Sequence, residues 1–165
     1  TGIASIERVA LINVEGGGML GIPGVASRIF SALAKAQVNI VMISQASSEH
    51  SICIVCREEQ AKKALAGLKT ELTRELHAKQ IENFELIMNL EIVAIIGENM
   101  RGTPGISGKL FSALGDGGIN VLAIAQGSSE RNISFVIDGK DREKALNTVH
   151  RAFFGLKSGK RVGKK

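Results

Sequence analysis

The chain of 165 residues has no tryptophan, no tyrosine, two prolines and two cysteines. The aromatic shortage excludes one function class. Sheets that bind single-stranded nucleic acid stack bases on exposed rings. Here Phe135 is the sole aromatic in the segments that read as first or third strands, so nucleic acid is not an expected partner. Cys53 and Cys56 spell C-x-x-C, but "SICIVC" has the β-branched alternation of a strand, where i and i+3 face opposite ways. No second pair exists, and His50, His77 and His150 stand at no ligand spacing. Two buried thiols are expected, with no metal and no cofactor. Apolar runs fall short of the roughly 18 residues that a membrane span needs, and no basic-then-apolar leader opens the chain. The expectation is a soluble, cytoplasmic protein with no membrane contact. No Ser/His/Asp set or carboxylate pair sits at catalytic spacing, so no catalytic residue is assigned.

The net charge of +5 is local. The last nine residues, "KSGKRVGKK", carry Lys157, Lys160, Arg161, Lys164 and Lys165 and no acid. Removing those five charges leaves the remainder formally neutral. Residues 157–165 read as a solvated, disordered basic tail.

Glycine, by contrast, is plentiful, with 19 residues. Many of them fall in an internal repeat. "GGGMLGIPGVASRIFSALAKAQVNIVMISQASSEHSICIV" from Gly16 and "GENMRGTPGISGKLFSALGDGGINVLAIAQGSSERNISFV" from Gly97 align without a gap, 81 residues apart. Two copies are too few for a solenoid and make two similar units. Each reads as an apolar strand ("RVALINV" or "LEIVAII"), a Gly/Pro loop and a helix with Pro23 or Pro104 in its first turn. A strand ("NIVMISQ" or "NVLAIAQ"), a polar turn, another strand and a second helix follow. The second helices are expected over about 58–78 and 141–154. Copy one adds a strand at "FELIM"; copy two lacks its last strand, and "GIASI" near the start is spare. The fold class is therefore α+β: two ferredoxin-like βαββαβ units, antiparallel sheets with helices on one face. The expected boundaries are 8–89 for the first unit and 1–7 plus 90–156 for the second, the opening strand completing the latter.

Gly16, Gly18 and Gly21 satisfy G-x-G-x-x-G. Asn99 replaces the middle glycine in the sister copy. Gln45 and Gln126 stand where a dinucleotide site needs an acid, and the next two strands are antiparallel neighbours. A small anion at a helix N-terminus suits the loop better, with Gln45 or Gln126 offering both a donor and an acceptor. Residue chemistry alone leaves open whether the loop holds a free amino acid or only makes a turn.

The two repeats, and above all "SQASSEHS" and "AQGSSE" behind an N-[IV] strand start, resemble the tandem ACT domains at the regulatory end of aspartate kinases. The likeness is greatest to threonine-responsive members, including bifunctional aspartate kinase–homoserine dehydrogenases. It covers almost all of the chain before the tail and implies feedback inhibition by a pathway end product, threonine before lysine. The implied effector site comprises Gly21, Ile22, Pro23, Gly24, Val25 and Ala26 with Gln45 beside them. Asn39 and Ile40, or Asn120 and Val121, are the strand-two positions of a neighbouring domain, and Gln126 is the matching glutamine. Some relatives carry an aspartate where Gly21 stands, which favours threonine over lysine here. The implied partners are a free amino acid, the kinase domain of the parent chain and a second copy of this chain. No kinase signature is present, so this segment is expected to be inactive alone. The parent reaction would be ATP-dependent phosphorylation of aspartate. A purely structural dimerisation domain is the alternative.

Overall fold

Two long antiparallel strands organise the molecule. The computed structural model describes residues 2–19, 23–45 and 50–155; the basic tail at 157–165 lies outside them. "GIASI" and "RVALINV", expected as separate strands, form one strand, β1 (Gly2–Glu15). "FELIM" and "LEIVAII" likewise merge into β4 (Asn83–Ile96). Each changes its facing once, at Arg8 (φ 53°) and Asn89 (φ 57°), equivalent positions of the two copies. There the β1–β4 register slips by one residue and slips back, between Ile6↔Ile92, Val9↔Leu90 and Leu11↔Ile87. An inserted residue inverts the in–out alternation of a strand. On β1, Ile3 packs with one helical layer; beyond Arg8, Ala10, Ile12 and Val14 pack with the other. The two bulges thus bring apolar side chains under the helices in both halves of each long strand.

The sheet has six strands in the order β2-β3-β1-β4-β6-β5. Here β2 is Ile40–Ser44, β3 Ser51–Arg57, β5 Ala123–Gln126 and β6 Asn132–Asp138. Gly2–Ile6 pairs with Ile92–Ile96, and Val9–Glu15 lies between β3 and the first half of β4. Each half of the molecule is a βαββαβ arrangement, and the two share both long strands.

Five helices cover one face: α1 (Val25–Lys35), α2 (Ala61–Glu71), α3 (Thr73–His77), α4 (Ile106–Asp116) and α5 (Arg142–Phe154). The long second helix expected over 58–78 is divided into a 3-10 turn at 58–60, α2 and α3, with a break at buried Leu72. At the break the single Thr73 hydroxyl proton is shared between the Lys69 and Thr70 carbonyls, both 2.9 Å away, a back-bond of the kind that bends helices. Pro23 and Pro104 stand one residue ahead of the caps rather than in the first turn, because Gly24 (φ 92°) and Gly105 (φ 88°) take the left-handed N-cap position.

Two cores lie between sheet and helices, one around Ile12, Ile29, Leu33 and Leu68, the other around Ile95, Leu110, Leu114 and Phe135. A third, formed by Val9, Leu11, Met42, Val55, Leu90, Ile92, Ala123 and Val136, fills the helix-free face. Edge strands β2 and β5 therefore approach each other, and the Ser44 hydroxyl donates to the Ile124 carbonyl at 2.8 Å. Cys56 belongs to the first core, and Cys53 packs against the third while its thiol donates to Asn13 Oδ1 at 3.3 Å. The pair faces opposite ways, and burial pushes the Cys56 thiol pKa up. Phe135 is fully buried.

Candidate functional site

The Gly/Pro loop and the helix it opens are complete in the described residues of the second copy. Gly102 has φ 64°, and Thr103 bonds back twice, through its N–H to the Met100 carbonyl and its hydroxyl to the Asn99 carbonyl. No side chain caps α4; its first intrahelical bond is from the Lys109 N–H to the Gly105 carbonyl. The amides of Ile106, Ser107 and Gly108 are thus left without intrahelical acceptors, at the positive end of the helix dipole.

These residues line a cavity of about 230 Å³ with Met100, Thr103, Gln126 and Glu130. Gln126 is the last residue of β5, which carries its side chain to the loop from the neighbouring strand end. Glu130 sits in the turn before β6 at φ 54°, its N–H bonded to the Gly127 carbonyl. Its carboxylate accepts the Gly102 N–H at 2.6 Å, tying that turn to the loop. The lining thus combines N–H groups without intrahelical acceptors, a carboxylate, an amide and hydroxyls.

In the first copy, Pro23 and Gly24 are exposed, Val25 is buried in the core and Ala26 is half-buried. Among the described residues, none would lie within 4 Å of a Cβ on Gly24. Gly21 and Ile22 lie outside the described residues. Gln45 follows the end of β2 and is exposed, Asn39 precedes that strand and Ile40 is its first residue. Asn120 and Val121, expected on strand two of the second copy, precede β5, which begins at Ala123. Neither lines the cavity. That stretch joins the sheet through the Leu122 N–H, which donates to the Val136 carbonyl.

The helices behind the loops are held differently in the two copies. Arg28 on α1 pairs with the buried Glu75 carboxylate and donates to the Glu71 carbonyl. Its counterpart Lys109 lies over the Phe153 ring, 4.8 Å from the centroid.

Sequence reasoning assigned no role to Glu130, Thr103, Ser107 or Met100. The recurrence of Glu49 and Glu130 was a visible signal. Its meaning depends on a positive φ that folds the carboxylate back onto the loop.

The glycine run of the first copy has a separate explanation. A Cβ on Gly16 would stand 2.0 Å from the Gln80 carbonyl oxygen, and one on Gly18 would stand 2.6 Å from the Gln80 Cα. The Gly17 N–H donates to the Glu82 carboxylate at 3.3 Å. These glycines let the loop lie against the α3–β4 connection, so the phosphate-like spacing follows from backbone contact. Among the described residues no three His, Cys, Asp or Glu side chains gather as a metal site, and no helix is long and apolar enough to cross a membrane.

The ACT-domain family matches the chain twice, over residues 12–72 and 93–153. A bifunctional aspartokinase/homoserine dehydrogenase of Arabidopsis thaliana is 46% identical over 93% of this chain, which spans 17% of that relative. The corresponding Haemophilus influenzae protein is 40% identical over 94% of the chain and 19% of its own length. The regulatory subunit of aspartate kinase from Thermus flavus superposes with a TM-score of 0.79 at 29% identity, covering 93% of this chain and 97% of that one. Escherichia coli aspartokinase III, solved with lysine and aspartate, shares the fold at TM-score 0.70 and 24% identity, over 93% of this chain and 33% of its own. The chain belongs to the ACT-domain family, as a tandem pair of the kind found in the regulatory regions of aspartokinases.

Proposed function

We propose that this chain is the effector-sensing part of an aspartokinase and that the second copy's cavity holds a free amino acid, threonine in preference to lysine. The kinase would lie outside this chain, which spans under a fifth of its curated relatives. It would transfer the ATP γ-phosphoryl group to the aspartate side chain. We assign residues 8–89 to the first unit and 1–7 with 90–156 to the second.

The observation that carries the reading is the polarity of the cavity. The N–H groups of Ile106, Ser107 and Gly108 suit a carboxylate. Glu130 supplies the charge an α-ammonium needs, and its bond to Gly102 holds it in place. Gln126, Thr103 and Ser107 can bond a short hydroxyl side chain. The volume of about 230 Å³ is below the roughly 300 Å³ at which drug-sized sites begin. Glu130 is the single acid in the lining, so a second ammonium, as on lysine, would go without a partner. The first copy repeats Gly24 and Gln45 and is a second candidate site. Feedback inhibition then requires the effector to bind one arrangement of domains more tightly than another.

Isothermal titration with threonine tests this. Both side chains are exposed without ligand. Gln126→Ala should weaken binding about 2–13-fold, the equivalent of about 0.5–1.5 kcal/mol for one hydrogen bond, and Glu130→Gln about 13–150-fold, the equivalent of about 1.5–3 kcal/mol for a charged one. Gln45→Ala reports on the first copy. Heat that survives all three substitutions would place the ligand elsewhere. No heat with either threonine or lysine would leave only the structural role.

A further inference from the structure

The point where β1 passes between the two units carries a charge cluster with no counterpart in the first copy. Glu91 on β4 is 3% exposed and faces the helical layer beneath α5. Arg142, the first residue of α5, donates through Nε to its carboxylate at 2.8 Å and pairs through the second guanidinium nitrogen with Glu7 on β1. The equivalents of Glu91 and Arg142, 81 residues earlier, are Ala10 and Ala61, both fully buried. The same fold therefore fills this position with two methyl groups or with an ion pair. A buried ion pair adds little net stability over apolar packing, and its best-attested use is to fix register.

The register at this point needs fixing. Glu7 falls between Ile6↔Ile92 and Val9↔Leu90, where the β1–β4 ladder slips. The segment before it, Gly2–Ile6, is bonded along one side only: β3 accompanies β1 from Val9 onward. Gly2 and Ala4 are exposed, and of the segment's residues only Ile3 and Ile6 pack on core clusters. Such a strand belongs to the low-stability end of a fold.

We propose that Glu7, Arg142 and Glu91 form a latch that holds the strap Gly2–Glu7 on the second unit. Arg142 grips both strands from the helix side at the slip, so the strap stays in register although the core does little to retain it. This inference is independent of the effector reading.

Hydrogen exchange by mass spectrometry on the whole chain tests it. The double variant Glu91→Ala/Arg142→Ala installs the first copy's own pair and should fold. Exchange over residues 2–6 should accelerate about two- to fivefold, the scale of an opening made easier by one partly exposed ionic contact. Exchange over residues 10–15 should stay at the wild-type rate. Glu7→Gln, on an exposed side chain, should move residues 2–6 in the same direction by a smaller factor. Wild-type exchange over residues 2–6 in both variants would overturn the latch. So would acceleration spread equally over both halves of β1, since that is global destabilisation. Should the double variant fail to fold, Glu7→Gln decides alone.

Discussion

At the scale of single residues, the two copies separate what the loop needs from what its surroundings need. Gly24 and Gly105 share a left-handed cap with no described residue near a would-be Cβ, so their glycines answer to backbone conformation. Gly16 and Gly18 answer to the Gln80 backbone. Gly16→Ala should therefore destabilise the chain by about 1–3 kcal/mol, the range for forcing a methyl into packed surroundings, because a carbonyl cannot rotate aside. Gly17→Ala should stay within about 0.5 kcal/mol: its Cβ would stand 3.5 Å from the end of the flexible Glu82 side chain. Urea unfolding of the two variants side by side checks the contrast. Equal midpoints would mean that the loop yields to Gln80 and that the glycine run is not a packing requirement.

At the scale of elements, the long strands are where sequence and structure part. The apolar runs "RVALINV" and "LEIVAII" and the four-residue spacing of Val25, Ile29 and Leu33 are direct images of burial. The repeat then made the βαββα order and the spare opening strand legible. The continuity of β1 and β4 was not legible, because it runs through "ERV" and "MNL", whose charge and polarity read as breaks. The left-handed Arg8 leaves no compositional trace, and Asn89 leaves only the weak one that asparagine favours that region. The same holds at the cavity: that Gln126 stands at a strand end was legible, whereas the place of Glu130 in the lining needed the turn geometry. The strain at the bulge gives a prediction. A left-handed conformation costs a non-glycine residue about 1–2 kcal/mol, partly offset by the greater unfolded-state freedom of glycine. Arg8→Gly should therefore stabilise the chain, by up to about 1 kcal/mol, seen as a raised thermal midpoint. A lowered midpoint would show that the Arg8 side chain does more for the bulge than its conformation costs.

At the scale of the whole molecule, the sheet leaves β2 and β5 with one hydrogen-bonded neighbour each. Ile43 and Ile124, equivalent positions on these strands, are 43% and 44% exposed. The two edges touch each other through the Ser44 hydroxyl and the Ile124 carbonyl, and edges with exposed branched side chains favour association; we propose a second copy of this chain as the occupant, so that the chain is a dimer. The same step would bring a neighbour's Asn39 and Ile40, or Asn120 and Val121, towards the open side of the effector cavity, which none of the four lines within a single chain. Assembly and effector binding should then be coupled. Ile43→Lys combined with Ile124→Lys should convert a dimer into a monomer by analytical ultracentrifugation. Its thermal midpoint without ligand should fall and lose its dependence on protein concentration, because association between folded chains stabilises them by mass action. The monomer should bind threonine at least about tenfold more weakly, a loss of about 1.4 kcal/mol, and should show a correspondingly smaller ligand-induced rise in midpoint. Undiminished affinity in a demonstrated monomer would make the cavity self-sufficient, and the neighbour's strand-two residues would then have no part in recognising the effector.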